Sequence, residues 1–191
     1  MKIQQAIETL RNRLDVRDSQ IEALDETGLC EYARRFLQEV SVFDPRVIED
    51  AIAEVIGLGP IERLLADDSV SEIMVNRYDK IFVERSGKLQ KAVEVFTSED
   101  ALRRAIDRIV LPLGRHIDDA SPMVDARLPD GSRVNAVISP LATKGACLTV
   151  RKFSKQSLGI NDLVNSGSLN QQAADFLKLA VRCRQNIIVS G

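Results

Sequence analysis

Three features of the chain point to an α+β protein. Apolar residues recur at helical spacing over the first 57 residues. Gly57-Leu58-Gly59-Pro60 then interrupts that pattern. Beyond it, short alternating stretches interleave with amphipathic helical ones, which builds a sheet of about five to six strands flanked by helices. The expected organisation is a helical module over 1–57, a sheet domain over 58–155, and a linker over 156–191 that leads into the first strand of a further domain.

The elements follow in order. Ile3, Ile7, Leu10 and Leu14 repeat at spacings of 4, 3 and 4, a narrow apolar seam. Tyr32, Ala33, Phe36, Leu37 and Val40 form a second stripe. A third helix begins with Asp44 as cap and Pro45 in its first turn, and Gly57 suits its exit. Val47, Ala51, Ile52 and Val55 face inward on it. Three such helices make a small bundle, which either packs onto the next domain or docks a partner.

After the linker, Ile61, Leu64 and Leu65 mark a short helix, and Glu72–Asn76 and Lys80–Glu84 read as strands. Ser86-Gly87 turns the chain into a third strand, Ala92–Phe96. Thr97 with Asp100 resembles a capping box before a helix whose broad apolar face is Leu102, Ala105, Ile106, Ile109, Val110 and Leu113. Pro112 and Gly114 end it. Three more strands follow, then Leu163-Val164 in a short helix. A longer helix carries Ala173, Phe176, Leu177, Ala180 and Val181, and a final apolar strand runs over Asn186–Val189.

Composition narrows the function. Of 191 residues 45% are hydrophobic, enough for a core, and the formal net charge of -2 argues against a general binder of nucleic acid or membrane surface. No stretch approaches the ~20 apolar residues of a membrane span. Cys30, Cys147 and Cys183 have no metal-site spacing and read as reduced, mostly buried thiols. His116 is the only histidine, so neither a hydrolytic triad nor a zinc site can be built on it.

The chemistry concentrates between Pro122 and Phe153. Strand side chains alternate faces, so Val124, Ala126 and Leu128 oppose Asp125 and Arg127, and Val134, Ala136 and Ile138 oppose Arg133 and Asn135. A two-residue Asp130-Gly131 loop would pair core residues with charged ones. A three-residue Pro129-Asp130-Gly131 loop with Gly131 in the left-handed region keeps both faces consistent. It places Arg127 opposite Arg133 and Asp125 opposite Asn135. Two arginines across a ladder repel each other, so Asp125 or an external anion should offset them. Thr149 and Arg151 join that face from the next strand. Between Asp130 and Asp162 the chain has no carboxylate, but it has Arg133, Lys144, Arg151, Lys152 and Lys155. Guanidinium forks suit phosphate. The residues alone leave two readings: an anion site, or a solvated strand face with internal ion pairs.

The last stretch, Asn186-Ile187-Ile188-Val189-Ser190-Gly191, reads as a strand running into Ser-Gly, which is how a phosphate-binding loop starts. No G-x-x-x-x-G-K-[ST] motif occurs in the 191 residues. The expectation is the N-terminal part of an ATPase that stops at its catalytic domain.

From Gly57 onward the chain closely resembles the N-terminal region of the secretion ATPases that power type II and type IV secretion and pilus machines. The CpaF/TadA branch, which drives Flp-type pilus assembly, is nearest. The matching pieces are Gly57-Leu58-Gly59-Pro60-Ile61, Ile73-Met74-Val75-Asn76, Val83–Leu89, Ser121–Leu128, Asp130–Asn135 and Arg151-Lys152-Phe153-Ser154. The resemblance implies a PAS-like sheet domain packed over a RecA-like ATPase domain, in a ring of six subunits. ATP, with Mg2+, binds between the two domains of the full-length protein, and arginines of the first domain reach its phosphates. By position Arg133 and Arg151 match those arginines best, Arg127 less well, and Arg85 is a further candidate. Ser190 and Gly191 become the start of the Walker A loop. No metal ligand is expected in this chain. The implied setting is cytoplasmic, peripheral at the inner-membrane face of a bacterial secretion machine. The implied partners are platform proteins of that membrane, and not nucleic acid. The alternative is a non-catalytic PAS-like adaptor whose arginines bind a protein carboxylate.

Overall fold

Three apolar stripes close on one another at the N-terminus. In the computed structural model, which describes residues 2–15, 21, 23–153 and 159–190, they belong to α1 (Ile3–Leu14), α2 (Glu26–Glu39) and α3 (Pro45–Val55). Their shared core holds Ile7, Leu10, Ala33, Leu37, Ile48, Ala51 and Ile52. Asp44 caps α3 by accepting from the Arg46 amide at 2.9 Å, and Pro45 occupies the first turn, as expected.

A six-stranded antiparallel sheet follows. Helix α4 (Ile61–Ala66) leads into β1 (Val70–Arg77), β2 (Lys80–Arg85) and β3 (Lys88–Lys91). After α5 (Glu99–Val110) come β4 (Met123–Arg127), β5 (Arg133–Val137) and β6 (Cys147–Arg151). The strand order is β3-β2-β1-β6-β5-β4. One sheet face presents Ile73, Val75, Ile81, Val83, Val134, Ala136, Leu148 and Val150, in a second core that includes Leu102, Ala105, Ile106 and Ile109 of α5. The opposite face is polar at its β4–β6 end.

The two cores are bridged by polar contacts. Glu54, 4% exposed, accepts from the Thr97 amide at 3.2 Å and from the Thr97 hydroxyl. Arg108 of α5 donates to the carbonyls of Glu54 (3.2 Å), Gly57 (2.7 Å) and Val55, which lack helical partners at the end of α3. Residues 1–153 form one compact unit and 154–191 a second.

Four sequence expectations need correction. The third strand is Lys88–Lys91, not Ala92–Phe96. The ladder ends with the Ala92 amide on the Ile81 carbonyl at 2.9 Å, and the chain then leaves the sheet with Val93 exposed and Phe96 buried. A short edge strand flanked by lysines carries almost no apolar alternation to detect. The cap of α5 is Ser98, accepting from the Ala101 amide at 3.1 Å, because Thr97 is engaged by Glu54. The cysteines are not mostly buried: Cys30 and Cys147 are half-buried and Cys183 is exposed.

The fourth correction lies in the second unit, which holds α6 (Ile160–Asn165) and α7 (Gln171–Arg182). Asn186–Val189 forms no strand there, and Ile188 and Val189 are more than 90% exposed. A buried strand needs neighbours for its backbone and its side chains, and the described residues of this unit contain no other strand. The expected boundary at 155/156 and Gly191 fall outside the described residues.

The register of β4 and β5 is the one the alternation demands. Arg127 pairs with Arg133, Ala126 with Val134 and Asp125 with Asn135. Gly131 has φ +90, and its amide reaches the Leu128 carbonyl at 2.9 Å. Asp130 accepts from the Ser132 amide and hydroxyl, both at 2.9 Å. Buried Ser132 in turn accepts from the Phe153 amide at 3.0 Å, tying the turn to the end of β6. The Ser132 amide, and then its hydroxyl, hold the Asp130 carboxyl below its ordinary 3.8.

Two outcomes follow for this turn. Gly131→Ala places a Cβ 3.2 Å from the Phe153 ring at a backbone angle that disfavours L residues, and should cost about 1 kcal/mol in urea unfolding. The Asp130 carboxylate stabilises the fold above its ordinary range, and that contribution is lost as pH falls through its depressed folded value. Asp130→Asn should therefore flatten the decline of stability below pH 3.8 relative to wild type.

Candidate functional site

Strand pairing extends the arginine pair into a row. Arg127 of β4 lies opposite Arg133 of β5, and Arg133 opposite Arg151 of β6. Arg151 in turn faces Glu72 of β1, and Glu72 faces Glu84 of β2. One line across five strands thus reads three guanidiniums and then two carboxylates. Because side chains alternate, all five project away from the α5-covered core.

Four of the five, Arg127, Arg133, Arg151 and Glu72, line a groove of about 620 Å³. Thr149 and Asn135 lie in its floor one ladder position further along, as the alternation required. Arg115 joins it from the loop after α5. That arginine was missed in the sequence, where the segment read only as a helix end. The available signal was Gly114, whose φ of 69 turns the chain out of the helix, with a basic residue directly after it.

The electrostatics are lopsided. Arg115, Arg127, Arg133 and Arg151 set four positive charges against Glu72 and Asp125, leaving two in excess. Asp125 accepts from Asn135 Nδ2 at 3.0 Å and makes no ion pair with the arginines among the described residues. Among the described residues none of the four guanidiniums makes a hydrogen bond or ion pair, and all four are exposed. A ladder row of like charges without counter-ions is unfavourable by itself. The arrangement suits an oxyanion that accepts from several planar forks together.

The other candidates separate from this groove. Arg85 alternates with Ile81 and Val83 and so lies on the core side of β2, where it pairs with Asp67 at 3.0 Å. The Ser69 hydroxyl and Arg85 pull the Asp67 carboxyl down to about 2. Arg85 therefore leaves the list of phosphate contacts. Ser190 is exposed in the second unit, and Gly191 lies outside the described residues. Among the described residues no group of three or more His, Cys, Asp or Glu converges as a metal site, and no helix is long and apolar enough to cross a membrane.

The chain is similar to known proteins. A family described as Type II/IV secretion system protein matches residues 54–191. An uncharacterized protein of Methanocaldococcus jannaschii is 36% identical over 176 residues, covering 89% of this chain and 24% of its own length. The conjugal transfer protein TrbB of Rhizobium radiobacter is 29% identical over 128 residues, covering 66% of this chain and 39% of itself. The crystal structure of the VirB11 ATPase from the Brucella suis type IV secretion system, in complex with sulphate, superposes with a TM-score of 0.50 at 22% identity. That match covers 65% of this chain and 42% of the other, and it is a likeness of fold. The chain spans about a quarter to two-fifths of the length of these curated relatives.

The unneutralised row can be tested without any ligand. Arg133 has an arginine on each side, so Arg133→Gln should stabilise the fold at low salt by a few tenths to about 1 kcal/mol and raise its unfolding midpoint. The gain should shrink at about 1 M salt, where the Debye length is about 3 Å. Sulfate should stabilise wild type more than the variant. Thermal scans across a salt series measure all three effects.

Proposed function

The chain belongs to the type II/IV secretion system protein family, and on that premise we propose that it is the N-terminal, nucleotide-clamping and regulatory part of a longer motor ATPase. In this reading the parent protein is a hexamer that powers type II/IV secretion or Flp (Tad) pilus assembly by ATP hydrolysis. It works in the cytoplasm at the inner-membrane face of its machine, against membrane platform proteins. The PAS-like sheet domain packs over a RecA-like domain that begins near Ser190 and Gly191 and carries the Walker A loop and the Mg2+ site. The exposed apolar residues of the second unit, Phe176, Ile188 and Val189, support a covering partner of that kind.

The observation that carries the proposal is the row of guanidiniums. Arg133 and Arg151 stand on adjacent central strands, so their Cα positions are fixed by two ladders each. In this reading they donate to the phosphates of ATP and stabilise negative charge as it grows on the transferred group. Arg127, on the edge strand, and Arg115, on a loop, are held less firmly and serve mainly ground-state binding. A groove of arginines with only two carboxylates fits phosphate and does not fit a divalent cation, so magnesium chemistry is assigned to the rest of the longer protein.

In the longer enzyme, Arg133→Ala and Arg151→Ala should each lower turnover at saturating ATP by about 10²–10³-fold. ATP affinity should fall much less, because the interaction strengthens with the transition state. Arg127→Ala should have the smaller effect on rate. The 191-residue chain alone should release no phosphate from ATP. Wild-type turnover in both central-strand variants, or steady magnesium-dependent hydrolysis by the isolated chain, would refute the assignment.

A further inference from the structure

The two edges of the sheet differ. β3 closes one side with Lys88 and Lys91, the kind of charge that keeps an edge from pairing with itself. β4 closes the other with no lysine, no proline and no bulge over Met123–Arg127. Its ladder with β5 fixes which backbone groups are engaged. The Leu128 amide donates to the Ser132 carbonyl and the Ile138 amide to the Pro122 carbonyl, both at 2.8 Å. Hydrogen-bonded pairs alternate along an antiparallel ladder. Val124 and Ala126 therefore turn their amides and carbonyls towards β5, and Met123, Asp125 and Arg127 turn theirs to the open edge. These three residues are exposed, and among the described residues nothing bonds to their outward backbone groups.

We infer that this edge pairs antiparallel with β4 of a second copy, joining the two sheets across a two-fold axis at Ala126. Charge selects the register. With Asp125 opposite the partner's Arg127, Arg127 stands opposite the partner's Asp125. Both are outward-turned residues, so each pair can exchange two backbone hydrogen bonds. A slip of two residues one way sets Asp125 against its own copy, and a slip the other way sets Arg127 against its own copy, both unfavourable. On the core side the selected register sets Ala126 against its copy. It also sets Val124, 6% exposed, against the copy of Leu128, a residue that packs on the sheet core. The pairing supplies what the arginine row lacks. Within the chain neither Asp125 nor Arg127 makes an ion pair among the described residues, and in the dimer each faces an opposite charge. The inference does not rest on the nucleotide reading of the groove. A two-fold contact is isologous, whereas a ring of six is built head to tail, so this association is separate from the proposed ring. A contact of one short strand belongs to the small, transient class of interfaces.

Sedimentation of the 191-residue chain at low salt, from about 10 µM to about 1 mM, should show a monomer–dimer equilibrium. Asp125→Arg and Arg127→Asp each set like charges across the contact, and each should weaken dimerisation by more than about tenfold. Mixing the two variants restores opposite charges at both pairs, so the mixture should form a heterodimer that neither variant forms with itself. The register has its own test. Ala126 and its copy form a non-hydrogen-bonded pair with Cα atoms about 4.5 Å apart, within disulfide reach. In a Cys183→Ser background, which removes the exposed native thiol, Ala126→Cys should cross-link in air much faster than Met123→Cys. A chain that stays monomeric across the range, growth into larger oligomers, or a dimer unweakened by either charge reversal overturns the inference. So does a mixture of the two variants without heterodimer, or equal cross-linking at both cysteine positions. The cysteine comparison decides even if a charge-reversed strand does not fold.

Discussion

The turn at Asp130-Gly131-Ser132 governs the site. A strand slipped by one residue turns all its side chains to the opposite face. Here such a slip would drive Arg127 or Arg133 into the core packed by α5 and leave Val134 and Ala136 in solvent. The turn prevents it by three means: Gly131 in the left-handed region, the Asp130 carboxylate closed on Ser132, and Ser132 bonded to the Phe153 amide. The last contact matters because Phe153 follows Arg151 by two residues. One buried hydroxyl therefore sets the registers of β5 against both β4 and β6, and with them the alignment of all three arginines.

That alignment stores repulsion in a rigid place. Exposed arginines normally scatter to reduce their mutual field, and a flexible loop would let them do so. On a ladder the backbones cannot separate, so the only relief is a counter-ion. The free energy that the row loses without an anion is regained when one binds, and no loop has to be ordered at that moment. Preorganised charge of this kind acts without reorganisation. Arg115 is the exception: it comes from a loop, so its contribution carries an ordering cost that the sheet arginines avoid.

The sequence disclosed this site more fully than it disclosed the elements around it, for a physical reason. Alternation together with one turn residue over-determines a register: Val134 and Ala136 must face inward, so Arg133 and Asn135 cannot. The helices of the bundle were equally plain, because Leu10, Leu37 and Ile52 recur at the helical period and all three are buried. Failures came where one local signal competed with a tertiary one. Thr97 has the chemistry of a cap but is claimed by Glu54, 43 residues earlier in the chain. Lys88–Lys91 has no strand signature because an edge needs none. Ile187-Ile188-Val189 has the composition of a buried strand without neighbours to pair with in its own unit. Arg115 was invisible for another reason: its place in the groove depends on where α5 ends in space, which no local pattern encodes.

Helix α5 links these parts. Arg108, on its last turn, closes the carbonyl end of α3, although burial and the neighbouring Arg104 and Arg11 push its guanidinium pKa down. Arg103 of the same helix pairs with Asp107 at 3.3 Å and donates to the Ile117 carbonyl, two residues beyond Arg115. Arg104 lies between them in sequence, with Nε and Nη2 buried and making no hydrogen bond among the described residues. Burial without a partner opposes a charge, and burial pushes the Arg104 guanidinium pKa down. The helical bundle and the loop that presents Arg115 are thus anchored to one helix, through Arg108 and Arg103 respectively.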